Sequence, residues 1–138
     1  MGACCGGGLM DEEIKNATNI DELIKVMEEK KERLPKEKQQ IEDHIEDPTK
    51  EVDMINVGGI DTELLRKRIP FLDELEKYYD KTIQILRDNS SLPLNDCKNY
   101  SNDIVNHYVK TYDPNDELKD SYEKFEEFVK KWKKDNTL

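Results

Sequence analysis

Three residues at the start of the chain carry the most chemistry by type and spacing: Gly2, Cys4 and Cys5, in the run Met-Gly-Ala-Cys-Cys-Gly-Gly-Gly. Once Met1 is removed, Gly2 presents the amine that N-myristoylation requires, in a tail of small residues able to enter a transferase groove. Cys4 and Cys5 stand where a membrane-resident palmitoyltransferase can reach them after a myristoyl chain has docked. The usual pattern has Ser or Thr at position 6, whereas this chain has Gly6. One myristoyl chain holds a bilayer with only about 10⁴ M⁻¹, so a stable anchor needs a second signal. No basic run provides it: Asp11, Glu12, Glu13, Asp21 and Glu22 outnumber Lys15 and Lys25 in the stretch that follows. Palmitate on the cysteines is the second signal available.

These eight residues resemble the N-termini of dual-acylated peripheral proteins as a class. The resemblance implies lipids at Gly2, Cys4 and Cys5 and a position at the cytoplasmic face of a membrane. Two plainer readings stand beside it. The tail is inert, or the vicinal thiols bind metal or sense oxidation. Two cysteines without partners at ligand spacing make a poor metal site. The remaining residues resemble no family.

Elsewhere the chemistry-bearing residues are scattered. His44 and His107 fall in separate helical segments with no HExxH-type spacing. An EF-hand register beginning at Asp113 puts Leu118 at the glycine position and Lys124 at the twelfth ligand position, so it fails. No P-loop, GxGxxG or GxSxG run occurs, and no metal or cofactor is expected. Nothing here argues for an enzyme. Arg66-Lys67-Arg68 is a short basic cluster, a candidate contact for an acidic partner or a phosphoinositide, although such a cluster is more often a solvated face. Cys4, Cys5 and Cys97 make an odd set with no disulfide framework.

The elements that would position these residues are helices. Thr18 or Asn19 is placed to cap a helix whose first turn carries Asp21 and Glu22. Ile20, Met27, Leu34 and Ile41 recur every seven residues, with Ile24, Lys31, Lys38 and Ile45 at the second position of a coiled-coil-like seam. Pro35 predicts a kink or tight break there, giving helices over 19–34 and 36–46. A short helix through Val52 and Ile55 is expected next, and Asp61 as the cap of a helix bearing Leu65, Ile69, Leu72, Leu75, Tyr79, Ile83 and Leu86 on one face. Pro70 should kink or divide it near Arg68–Ile69. Residues 89–93, Asn-Ser-Ser-Leu-Pro, read as a loop.

A further helix is expected over about 99–111, with Tyr100, Ile104, Tyr108 and Tyr112 at intervals of four. Asp113 and Pro114 then start the last helix, whose seam is Leu118, Tyr122, Phe125, Val129 and Trp132, with Phe128 beside it. Lys130, Lys131, Lys133 and Lys134 close that helix where its dipole favours cations. The aromatic seam reads as a core face, or alternatively as a partner- or membrane-contacting one. No segment alternates with the period of a strand.

The expected fold is therefore an all-α bundle of four to five helices: a flexible Gly/Cys-rich tail over 1–10 and one helical domain over 11–138. A formal net charge of −10 disfavours nucleic acid and anionic lipid alike. The acids concentrate early, with fifteen against eight bases in residues 1–57. The function these features imply is a membrane-tethered adaptor or scaffold that recruits a protein partner through its helical faces. The alternative is a soluble subunit of a larger cytoskeletal or organellar complex. A redox or lipid-handling role for the vicinal cysteines or an internal cavity ranks third.

Overall fold

Apolar residues three and four apart make a stripe along each of the four longer helices, and with one short helix these build the structure among the described residues. It is a computed structural model in which residues 10–47, 62–109 and 116–136 are described. The elements are α1 (Glu12–Asn16), α2 (Ile20–Glu46), α3 (Thr62–Asp88), α4 (Leu94–Asn106), a 3₁₀ turn (His107–Val109) and α5 (Asp116–Asp135). No strand occurs among the described residues. The all-α bundle expected from periodicity is the fold observed.

At 1.5 Å per residue, α2 and α3 are each about 40 Å long, and they pair antiparallel along most of that length. Pairing is marked by Lys31 to Asp80 and Lys38 to Asp73, both at 3.0 Å, and by an Arg87–Glu28 contact. α4 runs back beside α3, and α5 runs back beside α4 while also packing on α3. The short α1 lies between α2 and α4.

Two prolines expected to kink or divide helices do not divide them. α2 continues through Pro35 and α3 through Pro70, and both rings are exposed. An interior proline loses one backbone bond and costs about 3 kcal/mol. On the solvent side water replaces that bond. The residues on either side, Leu34 and Glu37 in α2 and Arg68 and Phe71 in α3, are buried, so both flanks are held in the core.

The α2 seam also differs in its second position. The buried residues are Ile20, Leu23, Met27, Lys30, Leu34, Glu37 and Ile41. Ile24, Lys31, Lys38 and Ile45 lie half-buried beside that seam, and the two lysines bond acids of α3 from there. Two charged residues, Lys30 and Glu37, therefore occupy core positions.

The helix over 99–111 begins earlier than expected, at Leu94 directly after Pro93, and closes as the 3₁₀ turn. Asn19 caps α2 as expected, accepting from Glu22 N at 2.8 Å, and Glu22 returns the bond to Thr18 N at 2.7 Å. The loop at 89–93 is observed. The helix expected through Val52 and Ile55, the caps at Asp61 and Asp113, Pro114 and Tyr112 lie outside the described residues.

The core is continuous. Leu65, Leu72, Tyr79, Ile83 and Leu86 of α3 are buried, as are Leu118, Tyr122, Phe125 and Val129 of α5. The α3 stripe is shared, with α2 as its main partner rather than α5. α5 meets α3 through the Tyr78–Tyr122 ring pair (5.3 Å) and α4 through Tyr100 stacked on Phe125 (5.4 Å). Phe128 and Trp132 are half-buried at the edge of the same face.

Candidate functional site at the α1–α2–α4 junction

Where α1 begins, three helices meet in a polar cluster. Asp11 caps α1 with Oδ1, which accepts from Glu13 N (2.9 Å) and Ile14 N (3.2 Å). Its Oδ2 accepts from Lys30 Nζ at 2.8 Å, and Lys30 also reaches Glu13 at 3.0 Å. The Asp11 backbone N–H donates to Asn102 Oδ1 of α4 at 2.8 Å, and Lys98 Nζ donates to the Lys15 carbonyl at 2.7 Å. A five-residue helix cannot hold itself together in water. These bonds to α2 and α4, with Ile14 fully buried, hold α1 in place. Burial by itself raises the Asp11 carboxyl. The Lys30 hydrogen bond and the two amides outweigh it and hold the group below its ordinary value.

Two turns further along α2 a second network crosses the core. Glu37 Oε2 accepts from Arg68 Nε at 2.8 Å, with the two side chains 6% and 4% exposed. Glu37 Oε1 accepts from the Tyr108 hydroxyl, and Arg68 Nη2 donates to the Tyr108 carbonyl at 3.1 Å. The guanidinium lies 5.0 Å from the Tyr108 ring centre and 5.8 Å from that of Phe71. Burial, and then the bond to Glu37, push the Tyr108 hydroxyl up to about 12.

Between the two networks α1 no longer fills the space separating α2 from α4, and a cleft of about 250 Å³ remains. Leu34 and Val105 make its apolar walls. Asp11, Lys30, Arg33, Asn106 and Tyr108 line the rest. Tyr79 of α3, only 2% exposed, also lines it, and its hydroxyl is held neutral by burial.

The sequence-derived candidates fare unevenly. Gly2, Cys4 and Cys5 lie outside the described residues. Arg66, Lys67 and Arg68 do not form one basic surface. Arg66 and Lys67 are exposed, but Arg68 is turned inward onto Glu37, because its place between Leu65 and Leu72 is on the buried stripe. Cys97 is fully buried, and burial pushes its thiol up to about 12. His107 is buried, its Nε2 2.8 Å from Ser121 Oγ, while His44 is half-buried far along α2. No group of His, Cys, Asp and Glu suited to a metal ion occurs among the described residues.

The junction itself was not among those candidates, although its signal was present. Lys30 and Glu37 fall at three-and-four spacing inside the Met27–Leu34–Ile41 stripe, and Arg68 does so between Leu65 and Leu72. A charge at such a position in two helices announces a buried partner. The site thus belongs to an all-α bundle with a polar seam through its core. Comparisons with protein-family models, with curated proteins and with solved structures find no match for the chain.

Proposed function

We propose that the protein is a lipid-anchored helical adaptor, tethered to the cytoplasmic face of a membrane by myristate on Gly2 and palmitate on Cys4 or Cys5, and recruiting a protein partner there. The observation that carries this reading is the order Gly2, Cys4, Cys5 ahead of an acidic helical body with no basic run to serve as the second anchor. Two structural features support it. α1, which follows the lipidation motif, is fastened to α2 and α4 by ion pairs and hydrogen bonds, so a tether there would hold the whole bundle. No helix among the described residues is long and apolar enough to cross a membrane, which leaves lipids as the means of attachment in this reading. The outward edge of α4 and α5, with half-buried Tyr100, Phe128 and Trp132, is the face assigned to the partner. Confinement to a surface raises the effective concentration of a partner on the same membrane without new contacts.

The same aromatic edge suits the alternative, a soluble subunit of a larger assembly, and one measurement separates the two. Intact mass of the protein from its own cells should show a myristoyl and at least one palmitoyl addition. Gly2→Ala should remove both and release the protein from membranes. Cys4→Ser with Cys5→Ser should keep myristate and leave weak, reversible binding. A native protein with no acyl group and free Cys4 and Cys5 overturns the tether in favour of the soluble subunit.

A further inference from the structure

The cleft between the two polar networks has an imbalance of hydrogen-bonding capacity. Its one carboxylate, Asp11, is engaged at both oxygens: Oδ1 takes two backbone amides and Oδ2 takes Lys30. Behind the Tyr108 ring, Glu37 is likewise engaged at both oxygens, by Arg68 and by the Tyr108 hydroxyl. The carboxylates around the cleft are therefore in use. The donors are not. Arg33 at the mouth is 64% exposed and meets Glu13 only at 3.7 Å, which leaves most of its N–H groups available. Tyr79, 2% exposed as a whole residue, also lines the cleft, and its hydroxyl is able to donate to a ligand oxygen.

We propose that this cleft is a binding site for a small monocarboxylate with a short apolar or aromatic body, its carboxylate received by Arg33 and the Tyr79 hydroxyl and its body by Leu34 and Val105. The donors call for an acceptor-bearing head, and a planar guanidinium fork matches a carboxylate. Leu34 and Val105 call for carbon. The volume, about 250 Å³, equals roughly eight water molecules at about 30 Å³ each, which admits one aromatic ring with its carboxylate and excludes a nucleotide or a long acyl chain. The site is independent of the lipid anchor.

The test is an NMR titration of the full chain with benzoate, benzyl alcohol and inorganic phosphate, following the methyl signals of Leu34 and Val105. Benzoate should give saturable shifts there, and benzyl alcohol, of similar shape without the charge, should bind at least about tenfold more weakly. Arg33→Gln and Tyr79→Phe should each weaken benzoate by about tenfold or more, with native signal dispersion retained. Arg33 is mostly exposed, so its variant keeps the proposal testable even if Tyr79→Phe disturbs packing. Absence of saturable shifts, equal response to benzyl alcohol, phosphate binding more tightly than benzoate, or benzoate affinity unchanged in both variants would each overturn the assignment.

Discussion

Glu37 and Arg68 are joined across the core at 2.8 Å, each almost wholly withdrawn from water. Desolvating two charges is expensive, and mutual attraction repays it only when the remaining polar atoms are also satisfied. Here they are, by Tyr108 from its hydroxyl and from its carbonyl. The pair therefore joins α2, α3 and the 3₁₀ turn that follows α4, and fixes which faces of α2 and α3 meet.

Removing one partner leaves the other charged and buried. Arg68→Ala is expected to destabilise the fold by about 3–5 kcal/mol in a chemical melt. Replacing both, as Glu37→Leu with Arg68→Met, should cost clearly less than the single change, since no orphan charge remains. A double variant less stable than Arg68→Ala would show that the pair is intrinsically stabilising.

The aromatic junction gives a second test. Phe125 is fully buried and stacked on Tyr100, whereas Trp132 is half-exposed. Phe125→Ala should cost about 3–5 kcal/mol and Trp132→Ala clearly less. Comparable losses at the two positions would place Trp132 in the core rather than on the partner-facing edge.

Ser101 is an opposite case. It lies fully buried in α4, and its hydroxyl has no partner among the described residues. Ser101→Ala should raise stability by about 1 kcal/mol, because it removes an unmatched polar group without opening a large cavity. A loss of similar size would reveal a bond the hydroxyl makes to ordered water.

Helix class was legible in the sequence because apolar stripes at three-and-four spacing are strong in α3 and α5. Where Leu118, Tyr122, Phe125 and Val129 recur, the structure buries each one. Pro35 and Pro70 do not divide their helices, because a local rule describes the cost to one turn, whereas long contact between α2 and α3 acts over many turns. The polar junction was not legible as a site because Lys30, Glu37 and Arg68 read singly as surface charges. Only the packing of α2 against α3 and α1 brings each to its partner. Tyr79 was placed correctly in the core, but a stripe gives no information about a cleft beside it.

Cys97 offers a chemical readout of α4. Burial pushes its thiol up to about 12, and the thiolate is the reactive form. Iodoacetamide at neutral pH should leave Cys97 unmodified in the folded protein and alkylate it once denaturant opens the bundle. Rapid labelling under native conditions would mean that the α4 face opens readily.

Asp11 makes α1 docking dependent on pH, and the direction follows from its depressed carboxyl. An acid held below its unfolded value of about 3.8 contributes stability that is fully present above that value and is lost as pH falls through the lower folded one. Because the side chain is about a quarter exposed, solvent screens part of this contribution, and the effect should be local rather than global. α1 is only five residues long, so weakening its link to Lys30 releases it before α2–α5 unfold. Amide exchange at Ile14 and Lys15 should thus accelerate on acidification below about pH 4, while exchange in the middle of α3 stays slow. Asp11→Asn should show the faster α1 exchange already at neutral pH and respond less to acid, since the amide keeps some capping capacity but forms no ion pair with Lys30. If exchange in α1 and α3 instead accelerated together, α1 would be part of the global folding unit, and the Asp11–Lys30 contact would be no local clasp.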